Sequence, residues 1–177
     1  MSTAPRLVRV ADGLTLRRFG IPHGASSNVA RTVSAIARGG VSWHALSLAL
    51  LATGPRTARQ AAVAGTSAWA TTSLVVVAIK RVAGRRRPRL AAVGPPTHSS
   101  SMPSSHTATA FAYSAAAAIQ HPAAASLLIP AGVVAWSRLE VRRHFPTDVV
   151  VGAAIGLTVG AAAGLLVRRA ASPEGAP

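Results

Sequence analysis

Two histidines, one lysine and a few arginines stand where phosphoryl transfer could use them. The stretch Ser137–Asp148 carries His144, then Pro146, which suits a helix start, then Asp148. Asp148, one helical turn beyond His144, can accept the Nδ1 proton of the imidazole and leave Nε2 free to attack. His106 follows Pro103, Ser104 and Ser105, a second expected helix start whose unpaired backbone N–H groups, including that of Ser105, suit an oxyanion. Lys80, Arg87 and Arg138 supply cationic donors, and the planar fork of arginine can hold two phosphate oxygens at once. Ser104 adds a hydroxyl donor. One imidazole attacking phosphorus while another protonates the leaving oxygen is what phosphoryl transfer through a covalent intermediate requires.

These residues are scattered over nearly seventy positions, so helices must gather them. Residues 1–24 read as an interfacial or disordered tail, with room for a short surface-lying amphipathic helix. They do not read as a cleavable signal peptide, because no apolar core of adequate length follows their arginines. Residues 26–37 carry apolar positions at helical spacing and lead into a first span over 39–53, ended by Gly54-Pro55. The second span, Ala61–Ile79, is nineteen uncharged residues, close to the ~20 needed to cross a ~30 Å hydrocarbon core. A basic loop follows to Met102. A third helix is expected from Pro103, as its first residue, to Gln120. A fourth spans 123–138, with a kink expected at Pro130. A fifth runs from Pro146 to Val167, and residues 170–177 form a disordered tail. The expected fold is therefore an all-α membrane bundle of about five spanning helices plus an N-terminal amphipathic helix. Residues 25–169 make up its membrane-embedded domain.

Alternation of spans puts four points on one membrane face: Lys80, the start at Pro103, Arg138, and His144 to Asp148. All the candidate site residues lie at these points. The far face shows only Arg56, Arg59, Gln120, His121, Arg168 and Arg169.

Composition bounds the partners. Hydrophobic residues make up 50% of the 177 and charged residues 13%, too apolar for an ordinary soluble domain. Nineteen cations face four carboxylates, Asp12, Glu140, Asp148 and Glu174, for a net charge of +15. Such a balance calls for an anionic partner. Aromatic residues hardly interleave the basic clusters, which argues against nucleic acid and for lipid headgroups or a phosphorylated substrate. There is no cysteine, and the histidines and few carboxylates are not spaced as a metal site. Gly152, Gly156, Gly160 and Gly164 recur every fourth residue, a stripe that lets a neighbouring membrane helix approach closely. His23, His44, His98 and His121 fit no pattern and read as structural or surface groups. Trp43, Trp69 and Trp136 read as belt or packing residues. Glu140, Arg142 and Arg143 read as surface groups, the arginines turned to headgroups.

The three segments together resemble the signature of the type 2 phosphatidic acid phosphatase family, which shares its core with vanadium haloperoxidases. They are Lys80 with Arg87-Pro88, Pro103-Ser104-Ser105-His106, and Ser137-Arg138 with His144 and Asp148. The resemblance covers about residues 80–148. It implies a helical-bundle phosphatase that needs no metal or cofactor. His144 would be its nucleophile, Asp148 the orienting partner and His106 the general acid. Lys80, Arg87, Ser104, Arg138 and the Ser105 amide would hold phosphate. The family usually has glycine where Ser105 stands, which leaves the amide but adds a side chain.

The function expected is an integral-membrane lipid phosphatase of the bacterial plasma membrane, working through a phosphohistidine. A polyprenyl-linked substrate is favoured, such as decaprenyl-phosphoryl phosphoribose phosphate or undecaprenyl diphosphate. Phosphatidylglycerophosphate and phosphatidic acid are the alternatives. A vanadate-dependent haloperoxidase and a non-catalytic anionic-lipid-binding membrane protein are the readings of other classes. Outside the matched residues, eight arginines on the site face against four on the far face favour a cytoplasmic site.

Overall fold

The computed structural model of the chain describes Asp12, residues 25–88 and residues 99–172. The expected N-terminal tail apart from Asp12, most of the basic loop and the last five residues lie outside the described residues. So does the short amphipathic helix expected within that N-terminal tail. Among the described residues the elements are six α-helices: α1 (Ala25–Ile36), α2 (Val41–Thr53), α3 (Arg56–Ala83), α4 (Ser105–Gln120), α5 (Leu128–Glu140) and α6 (Pro146–Ala171). None of the described residues is in a strand, so the fold is all-α.

Length and apolarity qualify α3, α6 and the continuous helical stretch Pro122–Glu140 as membrane spans. The amphipathic lead-in and the first expected span form a pair bent by 47°, a fourth span if the two cross as one. The bend is a 3₁₀ turn at Arg38–Gly40, where Gly39 and Gly40 both have positive φ. α4 is shorter, at 16 residues, and ten of them are buried. It is the central helix, packed against α3, α5 and α6. Leu48, Leu74, Ile129, Val150 and Leu166 lie exposed on the outward faces of α2, α3, α5 and α6, as a hydrocarbon solvent would have them.

Alanine makes this close packing possible. Ala61, Ala62, Ala64 and Ala68 of α3 and Ala108, Ala112 and Ala116 of α4 are fully or almost fully buried. The glycine stripe of α6 faces the same helix. A Cβ at Gly152 would lie 2.8 Å from the carbonyl oxygen of Ser104, and one at Gly164 3.0 Å from that of Ala116. The α6 backbone therefore rests directly on that of α4, the contact that small residues permit in a membrane. It also brings the two helix starts together: the Ser104 amide donates to the Asp148 carbonyl at 2.9 Å. Deeper in the bundle, Tyr113 of α4 bonds Ser47 of α2 at 2.7 Å, and Ser47 meets Thr66 of α3 at 2.9 Å. Trp43 stacks against Tyr113 with ring centroids 5.0 Å apart, and Trp69 meets His44 edge-on.

Two expectations about proline do not hold. Pro103 precedes the helix rather than opening it: α4 begins at Ser105, with Ser104 as the residue before it. Pro130 is the third residue of α5, inside the first turn, where its missing N–H leaves no helical bond unmade. The chain instead changes helix type just before it, from a 3₁₀ segment over Pro122–Leu127 to α5.

Candidate active site

α3 stops at Gly84, whose φ of 53° is left-handed and open to glycine without strain. The reversal turns Arg85 inward, where it is 6% exposed. The chain then runs beside residues 99–101. The Arg85 amide donates to Ser100 Oγ (3.1 Å), the Ser101 amide donates to the Arg85 carbonyl (2.8 Å), and Ser101 Oγ donates to the Arg86 carbonyl (3.2 Å). Those serines then receive the site's cations. Lys80 Nζ donates to the Ser100 carbonyl at 2.6 Å, and Arg87 donates to Ser99 and Ser100.

His144 lies between α5 and α6 and is buried. Its Nδ1 is 2.7 Å from the carbonyl oxygen of Ser101. A carbonyl can only accept, so Nδ1 carries the proton and Nε2 the lone pair. Nε2 in turn sits 3.4 Å from Arg87 Nη1, which can only donate. Burial, chiefly, pushes the imidazole down from 6.5 to about 4. The Asp148 carboxylate opposes that shift, while Arg138 and Arg87 add to it. The ring is therefore neutral at pH 7, with Nε2 available. Arg87, itself drawn below its ordinary value by burial and by Arg143, also donates to the Arg143 carbonyl at 2.8 Å.

Asp148 is within 3.7 Å of His144 Nδ1, but the nearer acceptor is the Ser101 carbonyl. The Asp148 carboxylate accepts from the Phe145 amide (2.8 Å) and from Arg85 Nη1 (2.7 Å). Arg85 also bonds Thr147 Oγ1 at 2.7 Å, and its other terminal nitrogen pairs with Asp12.

Lys80, Arg87, His144 and Asp148 form one cluster, with Ser104 joined to it through its amide. His106, in the first turn of α4, is close enough for the charges of Arg138, Arg38 and Lys80 to act on it. Arg138 hydrogen-bonds Ser34 of α1, and its buried Nε has no partner among the described residues. A buried donor left unpaired is costly, and a phosphate oxygen would satisfy it. Ser104 Oγ accepts from Thr107 Oγ1 at 3.0 Å and keeps its own proton to donate. It does not cap the helix, so the first-turn amides, that of Ser105 included, have no side-chain partner from it. Ser105 is the first helical residue and half-buried, a position that does not require glycine.

Glu140 and Arg143 correct the expectation of surface groups, since both are buried. The turn between α5 and α6 folds beneath Arg87, which takes the Arg143 carbonyl as an acceptor. Three participants were not expected from the sequence: the Ser99–Ser101 backbone, Arg85 and Asp12. The first has no side-chain signature. The last two had one available signal, that a buried carboxylate in so cationic a chain is pressed to find a cation.

A cavity of about 590 Å³ opens beside the cluster, lined by Lys80, Arg81, Arg85, Arg86 and Arg87 together with Ser99. A separate groove of about 470 Å³, almost wholly apolar, lies between α1, α2 and α5 and includes Val134, one helical turn before Arg138. Among the described residues no three His, Asp or Glu side chains are grouped to hold a metal ion.

The chain matches the family model of the PAP2 superfamily over residues 61–171. No curated protein matches its sequence. Among solved structures it resembles the transmembrane PAP2-type phosphatidylglycerolphosphate phosphatase of Bacillus subtilis. That match has a TM-score of 0.78 and 17% identity, covering 97% of this chain and 90% of the other. It also resembles LpxE of Aquifex aeolicus, with a TM-score of 0.64 and 22% identity, covering 92% of this chain and 97% of the other.

Proposed function

The chain belongs to the PAP2 superfamily, and from that membership we propose that it is an integral-membrane lipid phosphatase working through a phosphohistidine on His144. The observation that carries this reading is the direction of the imidazole. Nδ1–H is spent on the Ser101 carbonyl, and the Nε2 lone pair is directed at the Arg87 guanidinium, where a phosphate would be held. His144 Nε2 attacks phosphorus, and the bond from phosphorus to the lipid oxygen breaks. His106 gives that oxygen a proton. Water then attacks the phosphohistidine and returns a proton to His106, releasing inorganic phosphate and free His144. Burial, chiefly, and the cations around His106 oppose a positive charge on its ring before substrate arrives, and a phosphate entering among those cations supplies a counter-charge.

Lys80, Arg87, Arg138, Ser104 and the Ser105 amide hold the phosphate in this scheme. Fixed donors of this kind stabilise the developing charge without a metal. The apolar groove near Arg138 supports a lipid whose tail stays in the bilayer. Arg85 is already neutralised by Asp12 and Asp148, but the cavity's four other cations, Lys80, Arg81, Arg86 and Arg87, support a headgroup carrying two phosphates rather than the single one of phosphatidic acid. A polyprenyl-linked diphosphate or phosphoribose phosphate fits this demand. Phosphatidylglycerophosphate fits it too, and the likeness to the Bacillus subtilis phosphatase favours it as the second reading. In this reading the protein sits in the bacterial plasma membrane, and the arginine surplus beside the site supports a cytoplasmic orientation.

The test is phosphate release by purified protein in detergent, with EDTA present, across polyprenyl diphosphate, phosphatidylglycerophosphate and phosphatidic acid. Turnover of the first two above the third is expected. No release from any lipid, or release abolished by EDTA, contradicts the reading.

A further inference from the structure

Arg85 stands at a junction that the phosphate chemistry does not explain. Its backbone carbonyl accepts from the Ser101 amide at 2.8 Å, and Ser101 is the residue whose own carbonyl takes the Nδ1 proton of His144. Its guanidinium holds Asp148, the other acceptor near that proton, at 2.7 Å. Both groups that face His144 Nδ1 are thus anchored on one residue. The Phe145 ring covers the guanidinium, 4.4 Å from its carbon, and keeps it from water.

This anchoring brings an electrostatic difficulty. When His144 takes a phosphoryl group its ring becomes cationic, and a carboxylate beside Nδ1 stabilises that state. Arg85, bonded directly to Asp148, cancels the carboxylate's charge. Asp12 removes the difficulty. It pairs with the second terminal nitrogen of Arg85, and it accepts from Thr147 both the backbone amide (3.2 Å) and the hydroxyl (2.9 Å to Oδ2). Asp12 is 1% exposed, Arg85 6% and Asp148 0%, so solvent screens none of them. One positive and two negative charges leave the trio at −1, on the Nδ1 side of the ring. Arg87 stands on the Nε2 side.

We propose that Arg85 and Asp12 are positioning residues for the phosphoryl-transfer step: Arg85 fixes both acceptors of the His144 proton, and Asp12 restores the negative charge that Arg85 takes from Asp148. The proposal rests on His144 being the nucleophile. It gives Asp12, remote in sequence from the three signature segments, a share in turnover.

Charge counting supplies a test that a purely structural role does not pass. Asp12→Asn brings the trio to zero, and kcat is expected to fall about tenfold with KM unchanged. Asp12→Glu restores the charge and most of kcat. Arg85→Gln leaves two buried carboxylates with no cation between them and is expected to be the most impaired. The double variant Asp12→Asn/Arg85→Gln returns the trio to −1 through Asp148 alone, and it is expected to turn over several-fold faster than Asp12→Asn. Elution and melting temperature in detergent are read for each variant. Wild-type kcat in Asp12→Asn overturns the proposal. So does a double variant that does not fold, or that is no faster than Asp12→Asn. Full activity of His144→Ala instead removes the nucleophile reading on which it stands.

Discussion

His144 Nδ1 lies 2.7 Å from the carbonyl oxygen of Ser101. A backbone oxygen cannot change its protonation state, so it fixes the tautomer of the ring at every pH where the ring is neutral. The carboxylate of Asp148 is then free to respond to charge on the ring rather than to set the position of its proton.

The acid limb of kcat/KM is expected near pH 4, because burial holds His144 at about 4 rather than 6.5. Between those two values the unfolded chain binds a proton that the folded chain does not. Stability from this group is therefore full above pH 6.5 and falls as the pH drops towards 4. A pH–rate profile on a lipid phosphate in detergent checks the first point, and a midpoint at 6.5 contradicts it. His144→Ala is expected to lower turnover by about a thousandfold or more while the protein still folds.

Arg87→Lys keeps a cation but loses the planar fork that spans Ser99, Ser100 and the Arg143 carbonyl. KM is expected to rise about tenfold with a smaller fall in kcat. Steady-state kinetics decide this, and an unchanged KM would remove Arg87 from the phosphate cradle.

Gly156→Ala sets a methyl group against the Ala108 carbonyl and 3.0 Å from the Ala112 amide nitrogen, where backbone cannot yield. A loss of about 1–3 kcal/mol is expected, the usual cost of overpacking. Gly132→Ala, in α5, meets nothing within 4 Å. There the higher helix propensity of alanine is expected to raise stability by about 1 kcal/mol. Thermal unfolding of the two variants in one detergent is the comparison, and the reverse order would refute the packing account.

Single cysteines at Ser99 and Ala170, both exposed, report the two membrane faces. Labelling of intact cells with an impermeant maleimide is expected at position 170 and not at position 99. The opposite pattern places the site on the outer face.

Much of this molecule is legible in its sequence because the bilayer narrows the choices. Uncharged runs such as Ala61–Ile79 must be helical, and they lie within α3. The fourfold glycine spacing declared a packed face, and that face meets α4. Lys80, Arg87, His144 and Asp148, which the structure gathers into one cluster, could be picked out beforehand because the proposed role of each needs a particular side chain. The Ser99–Ser101 carbonyls were not, since any residue provides a carbonyl. Asp12 and Arg85 are separated by 73 positions, and nothing local pairs them. The burial of Glu140 and Arg143 was hidden for a related reason, because a basic run at a membrane surface looks the same whether it faces headgroups or its own protein.

The bond from the Ser104 amide to the Asp148 carbonyl has one more consequence. It sets the starts of α4 and α6 side by side, and the two helices then run in the same direction, Gly152 beside Ser104 and Gly164 beside Ala116. Their dipoles are parallel, each with about half a positive charge at the same end. Asp148 supplies a negative charge in the first turn of α6, whereas α4 has no acid in its first turn. An oxyanion resting at the α4 start supplies the charge that helix lacks. Phosphate or vanadate in the site should therefore raise the melting temperature. Product inhibition and ligand-induced stabilisation would then share a single origin, a helix start that carries no counter-charge of its own.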